Sequence, residues 1–259
     1  MSILDRFSLD DKVALVTGGA GLYGKFIVEA LAEAGATVYI ASRNLVNCEA
    51  LASELSGRGC RAVAARLDLA DGESIVEALY RKILREQGKI DVLVNNAVLR
   101  PMRRYEDPTE AFRTSMEVNA VGVFHITRTF AEAMKERRRG SIINISSIQG
   151  MVGPDRTLYK GTKVSDLPDC FLHKAGLINP TRYFASKVGP YGIRVNCISP
   201  GGMFNYQDPK FVERYNERTF LGRMADGEDI KGVVVFLASD ASAYITGANI
   251  PVDGGYTAK

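Results

Sequence analysis

Gly18, Gly21 and Gly24, in the run Thr17-Gly18-Gly19-Ala20-Gly21-Leu22-Tyr23-Gly24, stand where a short apolar stretch, Val13 to Val16, gives way to a helical pattern. Glycine lets the backbone approach a ligand, and free N–H groups at a helix start point at an anion, so the chemistry on offer is pyrophosphate binding. A plain tight turn is the alternative reading of such spacing. Further on, Ser42-Arg43-Asn44 follows a second apolar stretch and contains no carboxylate to take ribose hydroxyls. Arg43 suits a 2′-phosphate instead, which favours NADP over NAD as cofactor, or else it caps a surface loop. Asp68, with Leu69, ends the next such stretch; its carboxylate is suited either to an adenine amino group or to capping the following helix.

These groups need a scaffold. Val13 to Val16 reads as a buried strand, and Phe26, Ile27, Ala30, Leu31 and Ala34 recur at helical spacing before Gly35. Ala36 to Ile40 supplies a second strand, so the glycine turn joins a βαβ unit. A helix over about 46–55, strands over 61–67 and 90–94, a long helical segment over 108–139 and a strand over 141–147 follow. This alternation implies an α/β protein of one domain, 1–259, with a seven-stranded, mostly parallel, doubly wound sheet and helices on both faces.

Composition narrows the function classes. Of 259 residues, 46% are hydrophobic and 24% charged, and the formal charge of +3 leaves no footprint for nucleic acid or a membrane surface. No apolar run is long enough to cross a bilayer, and Met1 to Asp11 is polar, so a cytoplasmic location is expected. Cys48, Cys60, Cys170 and Cys197 lack metal-ligand spacing with His125 or His173 and are expected as free thiols, with no metal bound.

From Asp11 to Gly255 the chain resembles the short-chain dehydrogenase/reductase family. The resemblance rests on the glycine turn followed by Asn95-Asn96-Ala97, Val118-Asn119-Ala120-Val121-Gly122, Asn144-Ile145-Ser146-Ser147, Ile193-Arg194-Val195-Asn196 leading into Ser199-Pro200-Gly201, and Thr246-Gly247 with Val252-Asp253-Gly254-Gly255. It implies a Rossmann-type fold and an NAD(P)-dependent oxidoreductase acting on a small molecule. It also implies cofactor contacts from Gly18, Gly21, Leu22, Tyr23, Ser42, Arg43, Asp68, Leu69, Asn95, Ala97, Lys174, Pro200, Gly201 and Met203. By the same resemblance Ser147 holds the reacting oxygen, Ser146 points the other way, and Asn119 is a kink residue supporting the catalytic lysine. Two departures are visible: Leu22 stands where the family's glycine turn has a Gly, and Val98 replaces the Gly after Asn95-Asn96-Ala97.

The family pairs a tyrosine with a lysine one helical turn later, which lowers the phenol's pKa and lets it pass a proton to or from a carbonyl oxygen. Tyr159 to Lys163 has the letters; Cys170 to Lys174 has the position. The segments after Lys174 continue in the family's pattern without a gap, whereas choosing Lys163 would run a helix through Pro168 at a cost of roughly 3 kcal/mol. Lys174 is therefore expected at the nicotinamide ribose, with an insertion over about 151–169 and Cys170 in the tyrosine's place. A thiol is acidic enough, at about 8.5 against about 10 for tyrosine, but it falls short of a phenol oxygen by roughly 4 Å, about one water layer. Three readings follow: Tyr159 folds back from the insertion to supply the proton, Cys170 works through a water, or the chain binds dinucleotide and catalyses little, as a sensor or assembly partner.

Met151-Val152-Gly153-Pro154-Asp155, Tyr159-Lys160-Gly161-Thr162 and Pro200-Gly201-Gly202-Met203-Phe204 resemble a subgroup linked to flagellin-modification and sialic-acid-like sugar pathways. The resemblance implies a substrate lid over about 203–225 and a tail that joins a homotetramer or homodimer interface. Lys210, Arg214 and Arg218 suit an anionic sugar derivative, or form a mixed-charge surface with Glu213 and Glu217. Pro180 is expected to kink the helix after Lys174, and His173 to face solvent or an interface.

Overall fold

The computed structural model describes residues 2–259. Seven strands form one sheet: β1 (Val13–Thr17), β2 (Thr37–Ser42), β3 (Arg61–Arg66), β4 (Val92–Asn95), β5 (Gly140–Ile145), β6 (Ile193–Pro200) and β7 (Asn249–Val252). Their order is β3-β2-β1-β4-β5-β6-β7 and every pairing is parallel, more uniform than the mostly parallel sheet expected. The apolar run of β1 is buried throughout because its side chains feed two cores. Val13 and Leu15 join one with Phe130 and Met134; Ala14 and Val16 join the other with Ile27 and Leu31. Strict alternation of side-chain direction makes a strand covered on both faces read as continuously apolar.

Helices α1 (Gly24–Glu33), α2 (Leu45–Gly57) and α9 (Lys231–Ala238) pack on one face. The other face takes α3 (Glu73–Gln87), α5 (Val123–Arg137) and α7 (Pro168–Val188). Chain order reverses between β1 and β4, so a crevice opens at the C-terminal ends of those strands, where folds of this kind accept ligands.

The segment 108–139 is not one helix. α4 (Thr109–Met116) passes through a π-helical turn, Glu117–Gly122, into α5, and Asn119 lies in that turn. The insertion carries a short helix α6 (Arg156–Tyr159), and its last two residues belong to α7, which starts at Pro168. Proline at the first helical position loses no bond, since that N–H has no partner inside the helix. α7 runs on through Pro180. Pro180 and Gly176 are both exposed, so water can take the carbonyl that the proline leaves free.

α8 (Pro209–Arg218) lies in the expected lid. Leu158, Phe211, Tyr215 and Met224 form a small core of their own with Ile148, and Tyr159 and Val164 pack on it. Segments 151–169 and 203–225 therefore share an apolar cluster separate from the two that clothe the sheet.

Candidate active site

A cleft of about 1010 Å³ runs over the C-terminal ends of β1, β4 and β5. Gly18, Gly21, Leu22 and Tyr23 line one part of it, beside Ser42, Arg43, Asp68 and Leu69. Gly18 has φ +62°, and a Cβ there would come within 2.8 Å of the Ala97 Cα, so only glycine lets the first turn sit against the end of β4. Thr17 Oγ1 fixes that junction by accepting from the N–H groups of Asn96 and Ala97, both at 3.0 Å. Asp68 Oδ1 accepts from Ala70 N at 3.1 Å while the residue also lines the cleft, so capping and ligand contact are compatible. Arg43 is exposed at the cleft and has no carboxylate partner among the described residues.

At the other end, Ser147, Cys170, Lys174, Pro200, Gly201 and Met203 line the same cleft. Ser147 follows β5 and accepts from Gln149 N at 3.2 Å, which leaves its hydroxyl proton free to donate. Ser146 points inward and donates to the Lys174 carbonyl at 2.6 Å. Lys174 is 5% exposed and donates from Nζ to the Ile145 carbonyl at 2.8 Å. Burial, then the charge of Arg100, lowers its pKa to about 8. Lys163 is exposed and does not line the cleft.

Cys170 sits one helical turn before Lys174 and is 1% exposed. Burial pushes its thiol pKa up, while the cations of Arg100 and Lys174 pull against that rise. Tyr159 also lines the cleft, but its ring packs on Phe211, with centroids 5.6 Å apart. Burial raises its pKa to about 12, and the neighbours that act on it are Tyr256, Asp166, Gln149 and Asp155, with no contribution from Lys174. The groups that act on the phenol thus lie in segment 149–166 and at Tyr256.

Two expected residues lie behind the cleft wall. Asn95 does not line it: its Nδ2 donates to Thr127 Oγ1 at 2.9 Å and Asn144 Oδ1 at 2.8 Å, and Asn144 continues to Thr181 at 2.8 Å. The reason is strand alternation, which turns Asn95 under the sheet and gives the cleft Asn96 instead. Asn96 Nδ2 donates to the carbonyls of Thr17 and Gly18, both at 3.0 Å. Asn119 likewise is 3% exposed and off the cleft; it brackets Leu99, accepting from its N–H at 2.9 Å and donating to its carbonyl at 2.6 Å.

His173 is not at the surface. It is 3% exposed, with Nδ1 3.4 Å from Asn119 Nδ2, and burial lowers its pKa to about 3, so the ring is neutral. Arg214 and Arg218 do not point at the cleft as a cationic row. Arg214 donates to the carbonyls of Thr157 at 3.0 Å and Lys160 at 2.6 Å, and Arg218 pairs with Asp155 at 2.8 Å. Asn96 was legible as the second letter of the Asn-Asn-Ala triplet. Arg100 and Tyr215, which also line the cleft, belong to no motif that sequence reasoning weighed. No group of His, Cys, Asp and Glu among the described residues is arranged to hold a metal.

A cleft in this position on a sheet of this order is where doubly wound folds take a nucleotide, which sets the chain among the dinucleotide-binding α/β proteins. It belongs to the short-chain dehydrogenase/reductases: the family model described as enoyl-(acyl carrier protein) reductase matches residues 21–257. The chain is 34% identical over 253 residues to a 3-oxoacyl-acyl-carrier-protein reductase of Thermotoga maritima, covering 95% of this chain and 98% of that one. It is 35% identical over 263 residues to an L-rhamnose 1-dehydrogenase (NAD(P)(+)) of Azotobacter vinelandii, covering 95% and 97%. Among solved structures, a gluconate 5-dehydrogenase from Burkholderia cenocepacia in complex with NADP and tartrate is similar with a TM-score of 0.89 at 31% identity, covering 100% of both chains.

Proposed function

We propose that this protein is an NADP(H)-dependent oxidoreductase that interconverts a hydroxyl and a carbonyl on a small polar substrate, with Cys170 where its relatives' scheme calls for a tyrosine. The observation that carries the reading is the shared cleft. A glycine turn and an unpaired Arg43 line one part of it, and Ser147, Cys170 and Lys174 line the other. NADP, when bound, supplies the hydride chemistry. The protein's own groups do the rest: the Gly18–Gly21 turn, closed by Gly21 N donating to the Gly18 carbonyl at 2.9 Å, presents the N–H groups of Leu22 and Tyr23 to the pyrophosphate, and Arg43 takes the 2′-phosphate. Ser147 donates to the substrate oxygen, and Lys174 holds the nicotinamide ribose. The proton reaches that oxygen from the Cys170 side through a water, because the Tyr159 phenol is held to Phe211 with its proton bound tightly. Asn119 acts at one remove, by fixing the loop that carries Leu99.

A positioned general acid contributes about 10² to 10⁴ in rate, so the enzyme is slow for its fold. The rival reading, a dinucleotide-binding sensor or assembly partner, is favoured by the burial that holds the Cys170 thiol protonated. The insertion motifs support a sugar-derived substrate of the kind found in flagellin-modification or sialic-acid-like pathways. Exposed Phe124, Leu172 and Tyr183 support a homotetramer or homodimer, and four unpaired cysteines support a cytoplasmic location.

The test is NADP-linked turnover of D-gluconate, L-rhamnose and cyclopentanol by the wild type, Cys170→Tyr and Tyr159→Phe. We expect measurable wild-type turnover, a rise of about a hundredfold or more in Cys170→Tyr, and little change in Tyr159→Phe. Collapse of activity in Tyr159→Phe would assign the proton to the insertion, and failure of the wild type to bind NADPH would end the whole reading.

A further inference from the structure

Arg100 has no role in the scheme above, yet it lines the cleft beside Cys170 and Lys174. Its side chain is exposed at the cleft. Among the described residues no carboxylate pairs with it, whereas nearby Arg104 pairs with Asp107 at 3.8 Å and the lid's Arg218 pairs with Asp155 at 2.8 Å. The acidic residues that line the cleft are Asp68 and Asp155. Asp68 caps the turn after β3, far along the cleft beside Arg43, and Asp155 caps α6 and holds Arg218. The reacting end therefore carries two cations, Arg100 and Lys174, and the nearest carboxylate, Asp169 beside Cys170, is fully buried off the cleft and accepts from Ser115 Oγ at 2.6 Å.

The guanidinium is also held on a fixed stem. The residue before it, Leu99, is bracketed at both its N–H and its carbonyl by the buried Asn119 side chain, so the backbone that launches Arg100 is set by the π-helical turn. Cys170 lies within the arginine's reach: the guanidinium draws the thiol pKa down against the rise that burial causes.

We propose that Arg100 is the anchor for a carboxylate on the substrate, which makes the preferred substrates hydroxy or keto acids rather than neutral alcohols or sugars. The inference rests on the oxidoreductase reading and names the substrate class of that same site. A planar, two-pronged donor matches a carboxylate better than an ammonium does, and such a pair is strong where water is partly excluded. The charge of Arg100 acts on Cys170, His173 and Lys174 alike. Of these only Lys174 is itself a cation, and a bound carboxylate relieves the repulsion between it and Arg100.

The experiment uses the full chain loaded with NADP and compares matched pairs by calorimetric titration: D-gluconate against D-glucitol, and tartrate against threitol. Each pair shares its carbon chain and inner hydroxyls, with a carboxylate in place of one terminal CH2OH in gluconate and of both in tartrate. We expect the wild type to prefer the acid of each pair by roughly tenfold or more, the scale of one charge-assisted contact. Arg100→Met should remove the preference, Arg100→Lys should keep part of it, and neither should alter the affinity for NADP. Equal binding of acid and polyol by the wild type, or a preference that survives in Arg100→Met, overturns the proposal. Loss of NADP binding by the wild type is a different failure, since it removes the oxidoreductase reading beneath it.

Discussion

Ser146 donates its hydroxyl to the backbone carbonyl of Lys174 at 2.6 Å, across the gap between the end of β5 and the second turn of α7. The ammonium of the same lysine donates to the carbonyl of Ile145 at 2.8 Å. Both ends of Lys174 are thus tied to the last residues of β5, and the charge is kept in a buried site without a carboxylate partner. That arrangement costs stability in the free protein and readies the lysine for a ligand with hydroxyl acceptors.

The cost has a pH signature. The folded-state pKa of Lys174 is about 8 against 10.5 for the free group. A base whose pKa is depressed by folding opposes folding in full below the folded value, and the penalty fades as pH rises to the unfolded value. Such a shift corresponds to about 3 kcal/mol. In urea denaturation without cofactor, the stability of the wild type relative to Lys174→Met is expected to rise between pH 8 and pH 10.5, by up to that amount. A difference that stays flat across this window would mean that the ammonium is solvated.

Arg43 offers a cleaner separation of cofactors. Its guanidinium is exposed at the cleft and unpaired with acid, so removing it disturbs no internal contact. A hydrogen bond to a charged group is worth about 1.5–3 kcal/mol. Arg43→Ala is expected to weaken NADPH binding by roughly 10- to 100-fold while leaving NADH within a factor of about three. Fluorescence titration of the bound nicotinamide reads both, and equal losses for the two cofactors would place Arg43 outside the phosphate site.

Asn119 is a structural centre more than a chemical one. Its amide accepts from and donates to Leu99, and it donates to Ser115 Oγ at 2.9 Å, all in a buried site. Asn119→Leu keeps the volume and strands those partners. With an unsatisfied buried group costing about 1–3 kcal/mol, a loss of about 2–4 kcal/mol in unfolding free energy is expected, measured by chemical denaturation. The carboxylate preference that depends on Arg100 should weaken in the same variant, because the stem of that arginine is released.

The sequence carried the scaffold plainly because the physics of a buried parallel strand is local. Val13 to Val16 had to be apolar throughout, and the glycines after it had to admit the backbone of Ala97. The helix start ahead of Lys174 was legible for a similar reason, since Pro168 can begin a helix but not continue one. What was illegible depended on contacts between distant segments. Asn95 and Asn96 are adjacent letters, and only the strand's pleat decides which faces the ligand. His173 looked like a surface residue until α7 was packed against the π-helical turn. Arg100 gave no sign in the chain, because an unpaired cation is recognised only once every carboxylate has been placed.

The insertion and the lid are coupled in a way that spacing alone did not reveal. Arg214 reaches from α8 to the carbonyls of Thr157 and Lys160, Arg218 pairs with Asp155, and Tyr159 packs on Phe211. Arg214 and Arg218, two of the three cations that looked available for a substrate, instead join segment 151–169 to segment 203–225. The two segments are then expected to open together. Arg214→Ala removes the central donor of that join, and exposed contacts of this kind are worth about 1 kcal/mol, roughly a fivefold change in an opening equilibrium. Hydrogen exchange is therefore expected to quicken about fivefold in both 151–167 and 203–225, with the sheet strands unchanged and the global melting temperature nearly so. Faster exchange in 203–225 alone would show that the insertion is held by α7 and not by the lid, and the single-flap description would have to be given up.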